Sequence, residues 1–129
     1  MYKAGILTVS DKGSRGERED LSGQVIKDML KSAGIAVAID GIVPDEKDQI
    51  SRMLIDWVDV HKIDLILTTG GTGLSPRDVT PEATMSVIDK LAPGFGEAMR
   101  AKSAKKVPTA MLSRAIAGIR GKMPPAVFL

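Results

Sequence analysis

Residues 65–84 read LILTTGGTGLSPRDVTPEAT, and this stretch decides the fold. Residues 65–67 are apolar and predict a buried strand, while residues 70–73, Gly-Gly-Thr-Gly, predict a loop with almost no side chains. A helix start follows, with Thr80 as the expected N-cap, Pro81 at the first helical position and Glu82 in the first turn. The stretch therefore predicts a strand, a bare loop and a helix in that order.

The composition of this loop indicates a phosphate site. Glycines let backbone N–H groups approach an anion closely, and the helix N-terminus nearby favours negative charge. The hydroxyls of Thr69, Thr72 and Ser75 add donors. A glycine-rich loop that only makes a tight turn is the alternative, but the Arg77-Asp78 pair favours a binding role. The spacing matches neither the P-loop nor the dinucleotide fingerprint.

Composition restricts the classes of protein that this chain can represent. A length of 129 residues predicts a single domain over residues 1–129, and only four aromatic residues predict an aliphatic core. Cysteine is absent, which excludes thiolate metal sites and a cysteine nucleophile. The net charge of +2 does not indicate nucleic-acid binding. No apolar run is long enough for a membrane span and no signal peptide is evident, so we expect a cytoplasmic protein.

Strand and helix patterns alternate along the chain. Strands are predicted over residues 3–10, 35–43, 64–69 and 115–120, helices over residues 20–33, 46–62, 81–91 and 94–105, a helical turn over residues 108–114 and a loop over residues 11–19. In the first helix the expected apolar face consists of Leu21, Val25, Ile26, Met29 and Leu30. The alternation predicts an α/β fold of three αβα layers around a mostly parallel central sheet.

Three loops should meet at the carboxyl ends of the parallel strands, where ligands bind in such folds. Their hydroxyl and carboxylate residues are Ser10, Asp11, Ser14, Asp45, Thr72, Ser75 and Asp78. Two of these have structural alternatives, because Asp45 precedes a helix and can serve as its N-cap, and Asp78 can form an Asx-turn. The basic residues of the fourth helix have no aromatic neighbours and are interpreted as a solvated face.

Several motifs resemble the molybdopterin adenylyltransferase family of molybdenum cofactor biosynthesis. They are residues 8–11 (TVSD), 43–46 (VPDE), 69–73 (TGGTG), 76–84 (PRDVTPEAT), 93–100 (PGFGEAMR) and 110–114 (AMLSR). The likeness covers roughly residues 4–122. Thr72 and the Arg77-Asp78 pair favour this branch over two related domains that share the Gly-Gly loop, the nicotinamide-nucleotide amidase-associated domain and the metal-inserting relative.

The resemblance implies a reaction in which the terminal phosphate of molybdopterin attacks the α-phosphorus of ATP. Asp45 and Asp78 are then the catalytic residues and the ligands of Mg²⁺, with ATP as the co-substrate. The implied substrate and nucleotide contacts are Ser10, Asp11, Ser14, Thr69, Gly70, Gly71, Thr72, Gly73, Ser75, Arg77, Thr80 and Ser113.

The resemblance also implies molybdopterin and ATP as partners, a metal-insertion protein that receives the product, and a homotrimer. A trimer of the same family that binds pterin without catalysis is the alternative function. After Lys122 the family continues with a strand, a Pro-Gly loop and a last helix, whereas this sequence runs from Met123 to Leu129. We expect that strand, loop and helix to be lacking here, with residues 126–129 as a candidate substitute for the strand.

Overall fold

The computed structural model describes residues 2–121 and the backbone of residues 126–128. Its strands are β1 (Lys3–Val9), β2 (Ala36–Val43), β3 (Leu65–Thr69), β4 (Lys90–Leu91), β5 (Gly118–Arg120) and β6 (Ala126–Phe128). Its α-helices are α1 (Asp11–Ser14), α2 (Leu21–Ser32), α3 (Lys47–Asp59), α4 (Thr80–Met85) and α5 (Pro93–Ala104), and a 3-10 helix spans Pro108–Leu112. None of the helices in these described residues is long and apolar enough to cross a bilayer.

A six-stranded sheet runs in the order β2-β1-β3-β6-β5-β4. Strands β2, β1, β3 and β6 are mutually parallel, and β5 lies antiparallel between β6 and β4. The predicted mostly parallel sheet is therefore confirmed. The chain leaves β1 toward β2 and later crosses to β3 on the other side of β1, so the strand order reverses there. Such a switch point opens a crevice at the carboxyl ends of the strands.

Helices cover both faces of the sheet, which confirms the three-layer arrangement. On one face, Leu7 and Ile66 pack with Ile50, Leu54 and Trp57 of α3. On the other face, a smaller cluster joins the alternate β1 residues Ala4 and Ile6 to Leu30 of α2. The alternation of side chains along β1 thus supplies residues to both cores.

The predicted apolar face of α2 is only partly correct. Ile26 and Leu30 pack against the sheet, but Leu21, Val25 and Met29 are 65%, 56% and 67% exposed. A face built from positions i, i+4, i+8 turns gradually around the helix, so one stripe cannot contact a single strand along its whole length. The sequence pattern therefore overestimated the width of the buried stripe.

Several boundaries differ from the prediction, and two of the differences have a clear physical reason. The helix expected over residues 81–91 ends at Met85, and Lys90–Leu91 instead forms β4 because it pairs with β5, supported by a 2.7 Å bond from Asp89 N–H to Ile119 C=O. The loop expected over residues 11–19 begins with α1, because the Ser10 hydroxyl accepts the N–H of Gly13 at 3.0 Å. In the first segment strand pairing with a distant part of the chain decides the structure, and in the second a side-chain cap does, against what the composition predicted.

Residues at the end of the sequence take part in the sheet. Ala126–Phe128 forms β6 and pairs with both β3 and β5, so this part of the candidate substitute does form a strand. Leu129, which the sequence analysis assigned to the same strand, lies outside the described residues.

Two glycines facing Trp57 make a matched test of packing. A Cβ on Gly5 would lie 2.9 Å from Trp57 Cε3, whereas a Cβ on Gly41 would lie 3.4 Å from Trp57 Cζ2, an ordinary contact. Gly5→Ala should therefore destabilise the protein by about 1–3 kcal/mol through overpacking. Gly41→Ala should be neutral or slightly stabilising. The free energy of unfolding of both variants, measured with denaturant, checks this. Equal changes for Gly5→Ala and Gly41→Ala would show that Trp57 leaves no less space at Gly5 than at Gly41.

Candidate functional site

The glycine loop passes between the end of β1 and the start of α4. Gly70 and Gly71 have φ angles of +96° and +70°, which side chains rarely adopt. A Cβ on Gly70 would strike the Val9 carbonyl oxygen, and one on Gly71 would strike the Thr80 hydroxyl and lie 3.2 Å from Asp45 Oδ1. Both glycines are therefore required by conformation and by close approach.

Thr80 anchors this loop and does not cap the helix. Its hydroxyl donates to the Gly70 carbonyl at 2.8 Å, and its N–H donates to the Gly71 carbonyl at 3.1 Å. The N-cap position belongs to Val79, so the predicted N-cap role of Thr80 is wrong, although Glu82 does lie in the first turn. The hydroxyl and the N–H of Thr80 thus bind two neighbouring carbonyls of the loop, one each.

Four consecutive donors of the loop have no partner within the described part of the chain. Among those residues, the N–H groups of Gly71, Thr72, Gly73 and Leu74 donate no hydrogen bond. Backbone donors without a protein acceptor are what a phosphate group needs. The geometry is consistent with the predicted anion site.

Asp45 and Asp11 hold their two loops together by reciprocal bonds. The Asp45 carboxylate accepts the N–H of Asp11, the Asp11 carboxylate accepts the N–H of Asp45, and both distances are 2.9 Å. Asp45 does not cap α3, because Glu46 occupies the N-cap position, so the capping alternative is wrong. Burial raises the pKa of Asp45, and the neighbouring charges of Asp11 and Asp78 act in the same direction.

Arg77 is committed to carboxylates. Its guanidinium binds both oxygens of Asp11, at 3.1 Å and 2.9 Å, and Glu46 at 3.0 Å. These bonds lower the pKa of Asp11, chiefly through the bond from Arg77 and then through the Asp45 N–H. Arg77 therefore compensates the negative charges of the loops that follow β1 and β2 in this structure.

Asp78 lies within the third loop. Its carboxylate accepts the N–H of Ser75 at 3.0 Å while its own N–H donates to the Ser75 carbonyl at 2.9 Å. The bond runs back along the chain, so it is not the Asx-turn toward Thr80 that the sequence allowed. A Cβ on Gly73 would lie 2.8 Å from Asp78 Oδ2, which explains the small residue there.

A cavity of about 640 Å³ opens at this edge of the sheet, a volume typical of small-molecule sites. The predicted residues that line it are Ser10, Asp45, Thr69, Gly70, Gly71 and Asp78. The predicted residues that do not line it are Asp11, Ser14, Thr72, Gly73, Ser75, Arg77, Thr80 and Ser113. The structure thus joins both catalytic candidates and the first half of the glycine loop in one cavity.

The remaining predicted residues lie around that cavity or apart from it. The Ser14 hydroxyl donates to the Asp11 carbonyl at 2.8 Å, on the exposed side of α1. Thr72 and Thr80 line a separate small cavity of about 30 Å³ beneath the loop. The Ser113 hydroxyl accepts the N–H of Ala115 at 3.3 Å, a local bond within its own segment.

One wall of the cavity was missed by the sequence analysis. It consists of Thr8, Gly13, Arg18, Glu19, Asp20, Leu21 and Ser22. Asp20 joins this wall to β1, since its carboxylate accepts the Thr8 hydroxyl and the Gly23 N–H, both at 2.9 Å. The available signal was the position of Asp20, at a helix start after the polar run that follows β1.

The charges of the cavity are mostly negative. Glu19, Asp20, Asp45 and Asp78 face one basic residue, Arg18, among the described residues that line it. A phosphate chain would be repelled unless a cation accompanied it. No group of three or more acidic, histidine or cysteine side chains among the described residues forms a metal cage. Two aspartates completed by substrate phosphates match the usual coordination of Mg²⁺.

The fold and site define an α/β protein with a cavity at a switch point of its sheet. A model of the probable molybdopterin binding domain family matches residues 5–128, and the chain belongs to this family.

Curated relatives agree with this assignment. A molybdopterin adenylyltransferase of Helicobacter pylori strain J99 is 50% identical over 121 residues, which are 92% of this chain and 68% of that protein. The molybdopterin adenylyltransferase of Escherichia coli K12 is 41% identical over 121 residues, and this chain spans 62% of it. The chain therefore covers about two thirds of the length of these enzymes.

A solved structure shows the same fold. The molybdopterin biosynthesis enzyme MoaB from Thermus thermophilus superposes with a TM-score of 0.90 at 48% sequence identity. The superposition covers 100% of this chain and 80% of that one.

Proposed function

We propose that this chain adenylylates molybdopterin with ATP and Mg²⁺. An oxygen of the pterin's terminal phosphate forms a bond to the α-phosphorus of ATP, and the bond from that phosphorus to pyrophosphate breaks. The products are molybdopterin-AMP and pyrophosphate. The observation that carries the proposal is the run of unpartnered N–H groups in the described structure that begins at Gly71, which lines a cavity with two aspartates. The names of the relatives support it.

Positioning and charge neutralisation supply most of the catalysis in phosphoryl chemistry. The N–H groups of residues 71–73 would hold phosphate oxygens, and Arg18 would compensate part of their charge. Asp45 and Asp78 would hold Mg²⁺, which supplies neutralisation of the phosphate oxygens when bound. Arg77 would act indirectly, by holding Asp11 and thereby the loop that carries Asp45.

Pyrophosphate release tests the proposal directly. The purified chain is mixed with MgATP and molybdopterin, and pyrophosphate is followed by a coupled assay, with omission of molybdopterin as the control. Release that depends on both substrates supports adenylylation. Binding of molybdopterin without release would favour the alternative, a pterin-binding trimer without catalysis.

The assembly proposed for this chain is a homotrimer. The support is the resemblance and a run of exposed apolar side chains in the second half of the chain, which includes Leu91, Phe95, Met99 and Met111 at 47%, 50%, 47% and 74% exposure. Large exposed apolar side chains that cluster into a patch usually mark an interface. Light scattering at micromolar concentration should give three times 13.7 kDa. A monomer mass would refute the trimer.

We also propose a cytoplasmic location and a metal-insertion protein that accepts the adenylylated product, as the family resemblance implies. An activated anhydride between two phosphates hydrolyses in water, so direct transfer to the next protein would protect it.

A further inference from the structure

Arg114, which does not line the cavity, binds the loop that carries Asp78. The backbone N–H of Arg114 donates to the Thr72 carbonyl at 2.7 Å. Its side chain donates from Nε to the Gly73 carbonyl and from one terminal nitrogen to the Asp78 carbonyl, both at 2.8 Å. These three carbonyls belong to the two ends of one loop, so Arg114 sets the distance between them.

Few other contacts order this loop, and the main one is the Arg77 side chain, which binds Asp11 and Glu46. Residues 74–77 are exposed, and Leu74 is 67% exposed, so core packing does not hold them. Inside the loop, only the reciprocal bonds between Ser75 and Asp78 are made among the described residues. Arg77 ties the loop to the β1 and β2 loops, whereas Arg114 is the side chain that joins Asp78 directly to Gly73.

Glu82 orients that side chain. Its carboxylate accepts two bonds from Arg114, at 2.7 Å and 3.3 Å, and these bonds lower the pKa of Glu82. Glu82 lies in the first turn of α4, directly after the loop. The guanidinium fork is thereby aligned so that its remaining N–H groups meet the loop carbonyls, a geometry that the point charge of lysine does not reproduce.

We propose that Arg114 is a positioning residue, which holds residues 72–78 so that the Asp78 carboxylate presents to the divalent cation in the cavity. This inference rests on the proposed function for the identity of that cation. Arg114 acts through backbone carbonyls and does not line the cavity. Residues of this kind, one contact removed from a metal ligand, typically change metal affinity about 10- to 100-fold when they are replaced.

Arg120 provides a matched control. Its guanidinium binds the Asp59 carboxylate at 2.9 Å and 3.3 Å and the Val87 carbonyl at 2.8 Å. Both arginines thus bind one carboxylate and at least one backbone carbonyl. Arg120 contacts no residue of the glycine loop in the described structure, so its replacement removes similar bonds without touching Asp78.

The experiment compares Arg114→Gln, Arg114→Lys and Arg120→Gln by Mn²⁺ titration in the presence of ATP, followed by electron paramagnetic resonance. We expect the Mn²⁺ dissociation constant to rise about tenfold or more in both Arg114 variants and less than about twofold in Arg120→Gln. Amide hydrogen exchange of residues 71–79 should accelerate in the Arg114 variants alone. In an Asp78→Asn background, Arg114→Gln should cause no further loss of Mn²⁺ affinity.

Opposite results would overturn the inference. Unchanged Mn²⁺ affinity with a lower melting temperature would make Arg114 merely structural, and so would equal losses in the Arg114 and Arg120 variants. A wild-type chain that binds no Mn²⁺ with ATP would also refute it. A chain that binds Mn²⁺ through Arg114 and Asp78 but releases no pyrophosphate would refute the proposed reaction and leave the positioning role supported.

Discussion

Asp78→Asn is expected to slow pyrophosphate release about a hundredfold or more while the protein stays folded. That factor corresponds to about 2.7 kcal/mol of lost transition-state stabilisation. Asp78 lines the cavity, and its carboxylate is one of the two proposed ligands of Mg²⁺. An asparagine can still accept the N–H of Ser75 with its amide oxygen, so the bond that orders the loop is retained. Only the negative charge is removed.

Asp59→Asn is the control for this variant. Asp59 pairs with Arg120 at 2.9 Å, away from the cavity, and the same change of carboxylate to amide is made there. We expect turnover within about twofold of wild type, because exposed pairs contribute little beyond local stability. The measurement is initial rate at saturating MgATP and molybdopterin. Near-normal turnover of Asp78→Asn would remove Asp78 from the mechanism.

Features set by local patterns could be predicted from the sequence. The alternation of strands and helices indicated the αβα sandwich, since each apolar run of about five to eight residues must lie in a sheet covered on both sides. The position of Asp45, Asp78 and Gly70 at one edge followed from parallel strands alone. Both glycines with positive φ in this loop, Gly70 and Gly71, lie where the sequence showed a turn without side chains.

Features that depend on distant partners could not be predicted. Arg77 appeared as a phosphate cation, and only the structure shows that Asp11, 66 residues earlier in the chain, binds it. Thr80 matched the composition of an N-cap, but the return of the loop brings the Gly70 carbonyl to its hydroxyl. The wall around Asp20 depends on the contact with Thr8 across the first crossover. In each case the partner of the side chain depends on which loops the fold brings together, and the local sequence does not show this.

The same reasoning applies to the charge at this site. The resemblance implied that Arg77 contacts the substrate or nucleotide, whereas in the structure Arg77 is shared between Asp11 and Glu46. The cavity is left with an excess of carboxylates among its described lining residues. The proposed phosphate substrate is compatible with this acidic cavity only when a cation lies between them, so the proposed reaction requires a cation there.

Asp45→Asn gives the second large effect and separates the catalytic role of Asp45 from its structural role. We expect pyrophosphate release to fall about a hundredfold or more, since the variant loses a proposed Mg²⁺ ligand. The asparagine oxygen can still accept the N–H of Asp11, and the backbone N–H of residue 45 still donates to Asp11, so the brace between the loops remains.

The stability of this variant should move in the opposite direction to its activity. Burial raises the pKa of Asp45, so the charged carboxylate costs stability at any pH above that pKa, and the nearby charges of Asp11 and Asp78 add to the cost. Removing the charge removes the cost at neutral pH, and Asp45→Asn should melt at the wild-type temperature or above it at pH 7. The difference should vanish as the pH falls through the pKa of Asp45, where wild type is protonated too. An inactive variant that also melts well below wild type at pH 7 would mean that Asp45 serves the fold, and an active one would mean that it does not hold the metal.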